Sequence, residues 1–294
     1  MSLWVFVTLL AAAAQTTRFV LQKRLGQAGL SPTGATFARF LYAAPLAFIV
    51  ALVTRAVLEV PLPAMNATFW AFVAAGGLAQ IVATELTVRL FALRNFAVGV
   101  AFTKTEIVLV ALFSGLVLGE VPSALGMVAI GVGFLGVIAM ARTPAGAVFG
   151  RAAWIGLAAG ALFGVAATGY RGAALALEPA PFFLRATVAL AAATALQTVA
   201  MALWLVGRDR AAFVRVLRGW RATAPVGIMG MLGSLGWFTA FSLQSAAYVR
   251  ALGQVELLFT LAASVLIFRE RLRARELAGI ALIGVSVVML VQAV

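Results

Sequence analysis

Ten ionisable side chains fall inside segments that are otherwise apolar, where they could bind a charged group or carry a proton. A charge at the centre of a membrane helix costs on the order of 3 kcal/mol on insertion scales, so each should face a cavity or another charge. Three are carboxylates and seven are cations: Glu85, Glu106 and Glu256, with Arg18, Arg39, Arg89, Lys104, Arg171, Arg185 and Arg250. Because three carboxylates cannot neutralise seven cations one to one, the surplus predicts contact with water or binding of an anionic substrate group.

Two of the carboxylates occupy equivalent positions in an internal repeat. Residues 91–120 and 241–270 align without a gap at an offset of 150, with eight identities that include Glu106 and Glu256. In a chain without histidine, a proton-coupled carrier must use a carboxylate, and these two are the candidates for substrate binding and proton coupling. Exchange without protons stays open, because nearby arginines favour the ionised carboxylate.

Each repeat also ends on a carboxylate, Glu120 or Glu270. Both stand just before a predicted helix, where negative charge stabilises the helix N-terminus. We interpret them as structural caps, with a role in substrate binding as the alternative.

Arginines recur between the two halves as well. Arg18 corresponds to Arg171 and Arg39 to Arg185, judged by their distances before the repeated glutamate. Paired guanidinium groups near a pseudo-two-fold axis predict a site for an anionic group approached from either side. The alternative is that Arg18 and Arg171 only neutralise the two repeated glutamates.

Four more side chains are candidates for the substrate site: Lys104, its repeat counterpart Gln254, Tyr170 and Trp237. On a continuous helix Lys104 and Glu106 would lie about 200° apart, at roughly 100° per residue, so one cavity should not receive both. We expect Glu106 to be the one that faces the cavity. For the two aromatic residues, interfacial anchoring or packing is the alternative.

Two further predictions concern pairing and exposure. Glu85 and Arg89 are spaced i, i+4 and should form a structural ion pair. Arg185 and Arg250 are the arginines most expected to extend toward the membrane surface.

The composition identifies the elements that must position these residues. Of 294 residues 64% are hydrophobic and 11% are charged, against about 25% charged in soluble domains. Apolar segments of about 20 residues, each able to cross a bilayer, recur along the chain and predict ten transmembrane helices of an all-α polytopic membrane protein. They lie roughly at 2–22, 32–54, 67–93, 97–118, 122–141, 152–175, 180–206, 223–245, 248–268 and 275–293.

A break near residues 142–151 divides the chain into five-helix repeats at 1–146 and 147–294. An odd number of spans per repeat inverts the second repeat in the membrane. The loops after odd-numbered helices are strongly basic, which places them in the cytoplasm and both termini outside. Within one of them, residues 208–221 predict a short helix in the membrane interface, with a disordered basic loop as the alternative. A multi-pass protein of the cell (inner) membrane is expected.

The absences restrict the function classes. The chain has no cysteine, no histidine and one aspartate, Asp209, which removes most metal sites and the common catalytic triads. We therefore expect no enzyme activity and no cofactor. The net charge of +13 is explained by membrane topology rather than by nucleic acid. The expected partners are a small-molecule substrate and the lipid bilayer, with the chain a monomer or a homodimer.

The repeated pattern consists of a polar pair, a mid-helix glutamate and a terminal glutamate. It reads Ala92-Leu93-Arg94-Asn95, Glu106 and Gly119-Glu120, and then Ser242-Leu243-Gln244-Ser245, Glu256 and Arg269-Glu270. This pattern resembles the EamA-type members of the drug/metabolite transporter superfamily. The resemblance implies a secondary transporter with a central cavity, commonly an exporter of amino acids, metabolites or drugs. Ile107 and Leu257 stand where the family usually has proline, and the excess of arginine is unusual, so the substrate class is not carried over.

These observations predict a secondary active exporter of a small metabolite with an anionic group, such as an amino acid or organic acid. It would work by alternating access around a midplane cavity. The alternatives are a non-transporting scaffold or assembly subunit, an intramembrane enzyme, and an exporter of cationic or lipophilic drugs.

The topology can be tested with single cysteines, because the chain has none of its own. In intact cells, Ser2→Cys should react with an impermeant thiol reagent and Arg273→Cys should react only after permeabilisation. Labelling of Arg273→Cys from outside would overturn the predicted orientation.

Overall fold

The computed structural model describes residues 2–93, 100, 103–104, 106–141, 151–269 and 274–293. These residues form α-helices joined by short turns. The helices are α1 (Leu3–Gln27), α2 (Pro32–Leu58), α3 (Ala67–Leu93), α4 (Glu106–Leu118), α5 (Ala124–Ala141), α6 (Arg151–Leu175), α7 (Phe182–Arg208), α8 (Arg210–Arg218), α9 (Trp220–Leu243), α10 (Ala246–Leu252), α11 (Glu256–Leu266) and α12 (Ala274–Gln292), with a 3₁₀ turn at Gly253–Val255.

The prediction of a multi-pass helical membrane protein is confirmed. Six helical segments in the described part of the chain are long and apolar enough to cross a membrane: α1, α2, α3, α7, α9 and the segment 246–266. Helix α4 and the apolar parts of α5 and α12 are shorter, so the count of ten spans stays a prediction. The helix predicted over 97–118 lies partly outside the described residues: residues 100 and 103 are helical, Lys104 lies in a turn, and α4 is described from Glu106.

Helix starts follow local sequence signals. Pro32 occupies the first turn of α2, and the Ser31 hydroxyl accepts a hydrogen bond from the Gly34 amide, which satisfies a free N–H of the first turn. The Asp209 carboxylate accepts from the Ala212 amide at 2.9 Å and begins α8. The basic segment predicted as a short helix is therefore helical.

The helices pack in the pattern that two equivalent repeats would give. The closest associations are α3 with α6, α1 with α9, and α5 with α12. Under the repeat, α1 is equivalent to α6 and α3 to α9, so the first two associations are one contact formed twice. The third joins the last helices of the two halves. This is the pairing expected around a pseudo-two-fold axis.

Glycines bring these helices close together. A Cβ atom on Gly169 of α6 would lie 2.9 Å from the Phe72 carbonyl oxygen and 3.0 Å from Gly76 Cα on α3. In the equivalent contact, a Cβ on Gly236 of α9 would lie 2.8 Å from Ala11 Cβ on α1. Small residues let membrane helices pack through their backbones, and no larger residue fits at either position without separating the helices.

We predict that Gly169→Ala destabilises the protein by about 1–3 kcal/mol, because the new methyl group meets backbone atoms that cannot move independently. Gly207→Ala is the control, since a Cβ there has no atom within 4 Å and alanine favours a helix by about 0.5–1 kcal/mol. Thermal unfolding in detergent should show a lower midpoint for Gly169→Ala and no decrease for Gly207→Ala. Equal shifts would contradict the packing argument.

Candidate central site

The two repeated glutamates bind cations in a crossed arrangement between the repeats. Lys104 Nζ donates to Glu256 Oε2 at 2.6 Å, and Arg250 Nη2 donates to Glu106 Oε2. Lys104 Nζ also lies 3.6 Å from Glu106 Oε1. All four side chains are buried, and each glutamate takes its cation from the other half of the chain. Removing one member of such a buried pair leaves an uncompensated charge.

Lys104 and Glu106 share one cluster, with Lys104 Nζ 3.6 Å from Glu106 Oε1. The expectation that one cavity should not receive both is therefore wrong, because it assumed the regular helical spacing that the turn at Lys104 does not have. Lys104 lies in a turn and Glu106 is the first residue of α4. In the second repeat, a tighter 3₁₀ turn at Gly253–Val255 directly precedes Glu256, within a helical segment that runs from 246 to 266. The backbone geometry therefore changes just before each of the two glutamates.

Trp237 lies at this cluster, in agreement with its prediction as a residue of the central site rather than an interfacial anchor. Its indole Nε1 donates to Gln15 Oε1 at 3.0 Å, and Gln15 Nε2 donates to Glu256 Oε2 at 2.7 Å. The Arg250 guanidinium lies 4.7 Å from the centroid of the Trp237 ring. The ring packs so closely on Gly253 that a Cβ there would lie 2.6 Å from it. Gln15 was missing from the predicted site, although it shares a helix face with Arg18.

Arg250 is buried in the cluster, so the prediction that it extends toward the membrane surface is wrong. Its partner Glu106 lies deep in the bundle and holds the guanidinium there. Gln254 is buried too, but it lies toward α5 and α12. A Cβ on Gly133 would be 2.4 Å from Gln254 Nε2 and 2.6 Å from Ser286 Oγ. Neither amide atom of Gln254 has a hydrogen-bond partner among the described residues.

Two further arginines lie side by side deep in the bundle. Arg18 and Arg39 are 1% and 2% exposed. A Cβ on Gly230 of α9 would lie 3.3 Å from Arg18 Cδ and 3.0 Å from Arg39 Cγ, so the two stems flank one glycine. The repeat relates Arg18 to Arg171 and Arg39 to Arg185. In the fold, however, Arg18 lies beside Arg39.

The hydrogen bonds of this arginine pair go to neutral groups. Arg18 Nη1 donates to Gln22 Oε1 at 2.7 Å, and its buried Nη2 has no hydrogen-bond partner in the part of the chain that the structure describes. Arg39 donates from Nη1 to Thr84 Oγ1 at 2.7 Å and from Nη2 to Ser234 Oγ at 3.4 Å. Among the residues that the structure describes, no carboxylate forms an ion pair with either guanidinium.

A narrow cavity extends from Ser234, which contacts Arg39, to Arg250 of the crossed ion pairs. Tyr170, Ser234, Trp237 and Arg250 all line it. The Tyr170 hydroxyl donates to Gln80 Oε1 at 2.8 Å and accepts from Gln197 Nε2 at 3.0 Å. Ser234 both lines the cavity and contacts Arg39. The structure thus places Tyr170 and Trp237 on the walls of a single polar and aromatic cavity.

Arg171 and Arg185 do not line this cavity; they lie near the end of the bundle where α6 ends and α7 begins. Arg171 donates from Nε and Nη2 to Glu120 Oε1 at 2.9 and 2.7 Å, and from Nη1 to the Phe241 carbonyl at 2.6 Å. Arg185 pairs with Glu178. Glu120 is therefore an ion-pair partner between the repeats, and neither Arg18 nor Arg171 forms an ion pair with Glu106 or Glu256.

The predicted pair of Glu85 and Arg89 is present, and Thr33 Oγ1 also donates to Glu85 Oε1 at 2.9 Å. Three residues of the repeated pattern, Arg94, Asn95 and Glu270, lie outside the described part of the chain. The interpretation of Glu270 as a cap stays a prediction.

Comparison with known proteins gives the family. A family model described as the EamA-like transporter family matches residues 2–142 and 150–292. A solved crystal structure of a protein aligns with a TM-score of 0.66 and 17% identity, covering 97% of this chain and 99% of that chain, which shows a shared fold. A search of curated proteins found no match. Because the two family matches span nearly all of the sequence, this multi-pass membrane protein belongs to the EamA-like transporter family, within the drug/metabolite transporter superfamily.

Proposed function

We propose that this protein is a secondary active transporter, working as an exporter, whose substrate is a small metabolite with an anionic group. An amino acid or an organic acid fits this description. The observation that carries the proposal is the buried pair of Arg18 and Arg39, which has no carboxylate partner in the described part of the chain.

The argument starts from the protonation state of arginine. A guanidinium group stays charged near neutral pH, so a buried one must find an anion or water. Two guanidinium groups beside each other also repel, and the amide and hydroxyl groups of Gln22, Thr84 and Ser234 supply no negative charge. A carboxylate or phosphate of the substrate would relieve both costs, and the fork of arginine suits bidentate binding of either group.

The arrangement of cavities and ion pairs supports alternating access. A cavity lined by Gln22, Lys23 and Phe91 lies where α1 ends and α2 begins, and Gln22 accepts the hydrogen bond from Arg18. At the other end of the bundle, the ion pair Arg171–Glu120 joins the two repeats. A substrate group could reach Arg18 from the first end while this pair holds the second end together.

The crossed ion pairs supply a candidate for energy coupling. Protonation of Glu256 would weaken its attraction to Lys104, and protonation of Glu106 would weaken its attraction to Arg250. Each event would loosen a link between the two repeats. Proton antiport through these glutamates is our hypothesis for the driving force, and substrate exchange without protons is the alternative outcome of the tests below.

We predict that Arg18→Lys and Arg39→Lys each reduce transport about ten-fold or more, because an ammonium group keeps the charge and loses the bidentate geometry. The assay is flux in proteoliposomes with radiolabelled amino acids and organic acids, and a quaternary ammonium compound as the cationic comparison. Arg55→Lys is the control, since Arg55 is exposed in the last turn of α2. Transport of the cationic compound, with both variants fully active, would refute the anionic-substrate proposal.

We predict that proton-driven accumulation is lost in Glu256→Gln. This change also leaves Lys104 buried without its main partner, so the double variant Lys104→Gln/Glu256→Gln is made as well, which removes both charges from the pair. Accumulation driven by a pH gradient is compared with exchange at equal pH. The double variant should lose the first and keep part of the second. Full pH-driven accumulation in it, and in Glu106→Gln, would show that neither carboxylate carries the proton.

A further inference from the structure

We propose that the arginines around α8 bind the phosphate head groups of anionic phospholipids. This basic belt comprises Arg208, Arg210, Arg215, Arg218 and Arg221, all of them exposed. The proposal concerns a surface remote from the central cavity, and it stands whether or not the proposed substrate class is correct.

Helix α8 is fixed against the bundle, so its arginines project from a fixed backbone. Ala212 and Val216 are fully buried, and the Phe213 ring stacks on Phe37 of α2 with centroids 5.4 Å apart. The Tyr42 hydroxyl of α2 donates to the Val216 carbonyl at 3.1 Å. With one face occupied in this way, the opposite face of α8 has to point away from the protein.

The exposed face of α8 carries the positive charge. At about 100° per residue, Arg210, Arg218 and Arg215 span an arc of about 140° on the side away from Val216. Asp209 is the one acidic residue between positions 208 and 221, and its carboxylate accepts the N-cap hydrogen bond from Ala212. In the described part of the chain no ion pair joins the belt to a carboxylate, so its charge is available to an external partner.

Aromatic side chains at both ends of the belt favour lipid over a soluble acidic partner. Trp204 and Trp220 are 55% and 56% exposed, and indole rings concentrate where a membrane meets water. The Arg208 guanidinium lies 5.3 Å from the Trp204 ring, and that of Arg221 lies 5.5 Å from the Trp220 ring. At the membrane–water interface, a guanidinium group beside an indole can bind a lipid phosphate while the ring lies among the upper part of the acyl chains.

The belt is connected to the central site through α2. Phe37 and Tyr42, which hold α8, lie on either side of Arg39 along that helix. Gly227 of α9 packs against Tyr42, where a Cβ would lie 2.4 Å from Tyr42 Cβ. Anionic lipid bound to α8 should therefore stabilise the packing of α2 against α9, which adjoins the arginine pair.

The experiment uses tryptophan fluorescence of the full chain in bilayers. The bilayers contain either brominated phosphatidylglycerol or brominated phosphatidylcholine at the same mole fraction, since bromine quenches a tryptophan that it contacts. Trp204→Phe and Trp220→Phe identify the share of the signal that comes from the belt. The test variant is Arg210→Gln/Arg215→Gln/Arg218→Gln, and Arg55→Gln at the other end of the bundle is the matched control.

We expect stronger quenching by the brominated phosphatidylglycerol in the natural chain and in Arg55→Gln, with no such preference in the triple variant. Three arginines at an anionic surface should account for about a hundred-fold in lipid affinity. Should the triple variant not fold, a rise in ionic strength must remove the preference in the natural chain. Equal quenching by the two lipids would overturn the proposal. So would an unchanged preference in the triple variant, or loss of the preference with soluble inorganic phosphate at constant ionic strength.

Discussion

The constraint on which this structure depends is the cost of a charge inside a bilayer. The crossed pairs Lys104–Glu256 and Arg250–Glu106 meet this constraint by joining the two repeats. Lys104 also lies 3.6 Å from Glu106 of its own repeat, but the hydrogen-bonded partner of each glutamate comes from the other half. Association of the repeats therefore supplies the closest counter-charge of both buried carboxylates.

The helical geometry changes where these charges meet. Lys104 lies in a turn close before Glu106, and a 3₁₀ turn directly precedes Glu256. The turn at Lys104 accounts for an ammonium group that lies near both glutamates, which the spacing of a regular helix would not allow. Irregular backbone inside a membrane is tolerated where it borders a polar site.

The arginine pair follows a different rule from the ion pairs. Arg18 and Arg39 donate to neutral groups, and Arg18 Nη2 has no hydrogen-bond partner among the described residues. Arg171, in contrast, forms an ion pair with Glu120 at the end of the bundle. A site built only for stability would have no reason to bury a surplus of charge. The glycine contacts of α3 with α6 and of α1 with α9 let the backbones pack without interlocking side chains, which suits repeats that move relative to each other.

Sequence alone determined the helical membrane class, the approximate helix positions, the repeat and its paired glutamates. The reason is that the length of an apolar segment and its capping residues are local properties of the sequence. A charged residue within such a segment can also be recognised without knowledge of the fold. Tertiary structure decided which charges meet. The alignment related Arg18 to Arg171, yet Arg18 lies beside Arg39 and Arg171 binds Glu120, because equivalence in a repeat describes symmetry and not proximity. Arg250 could not be assigned to Glu106 either, since a pairing across 144 residues depends on how the helices pack and leaves no local signal.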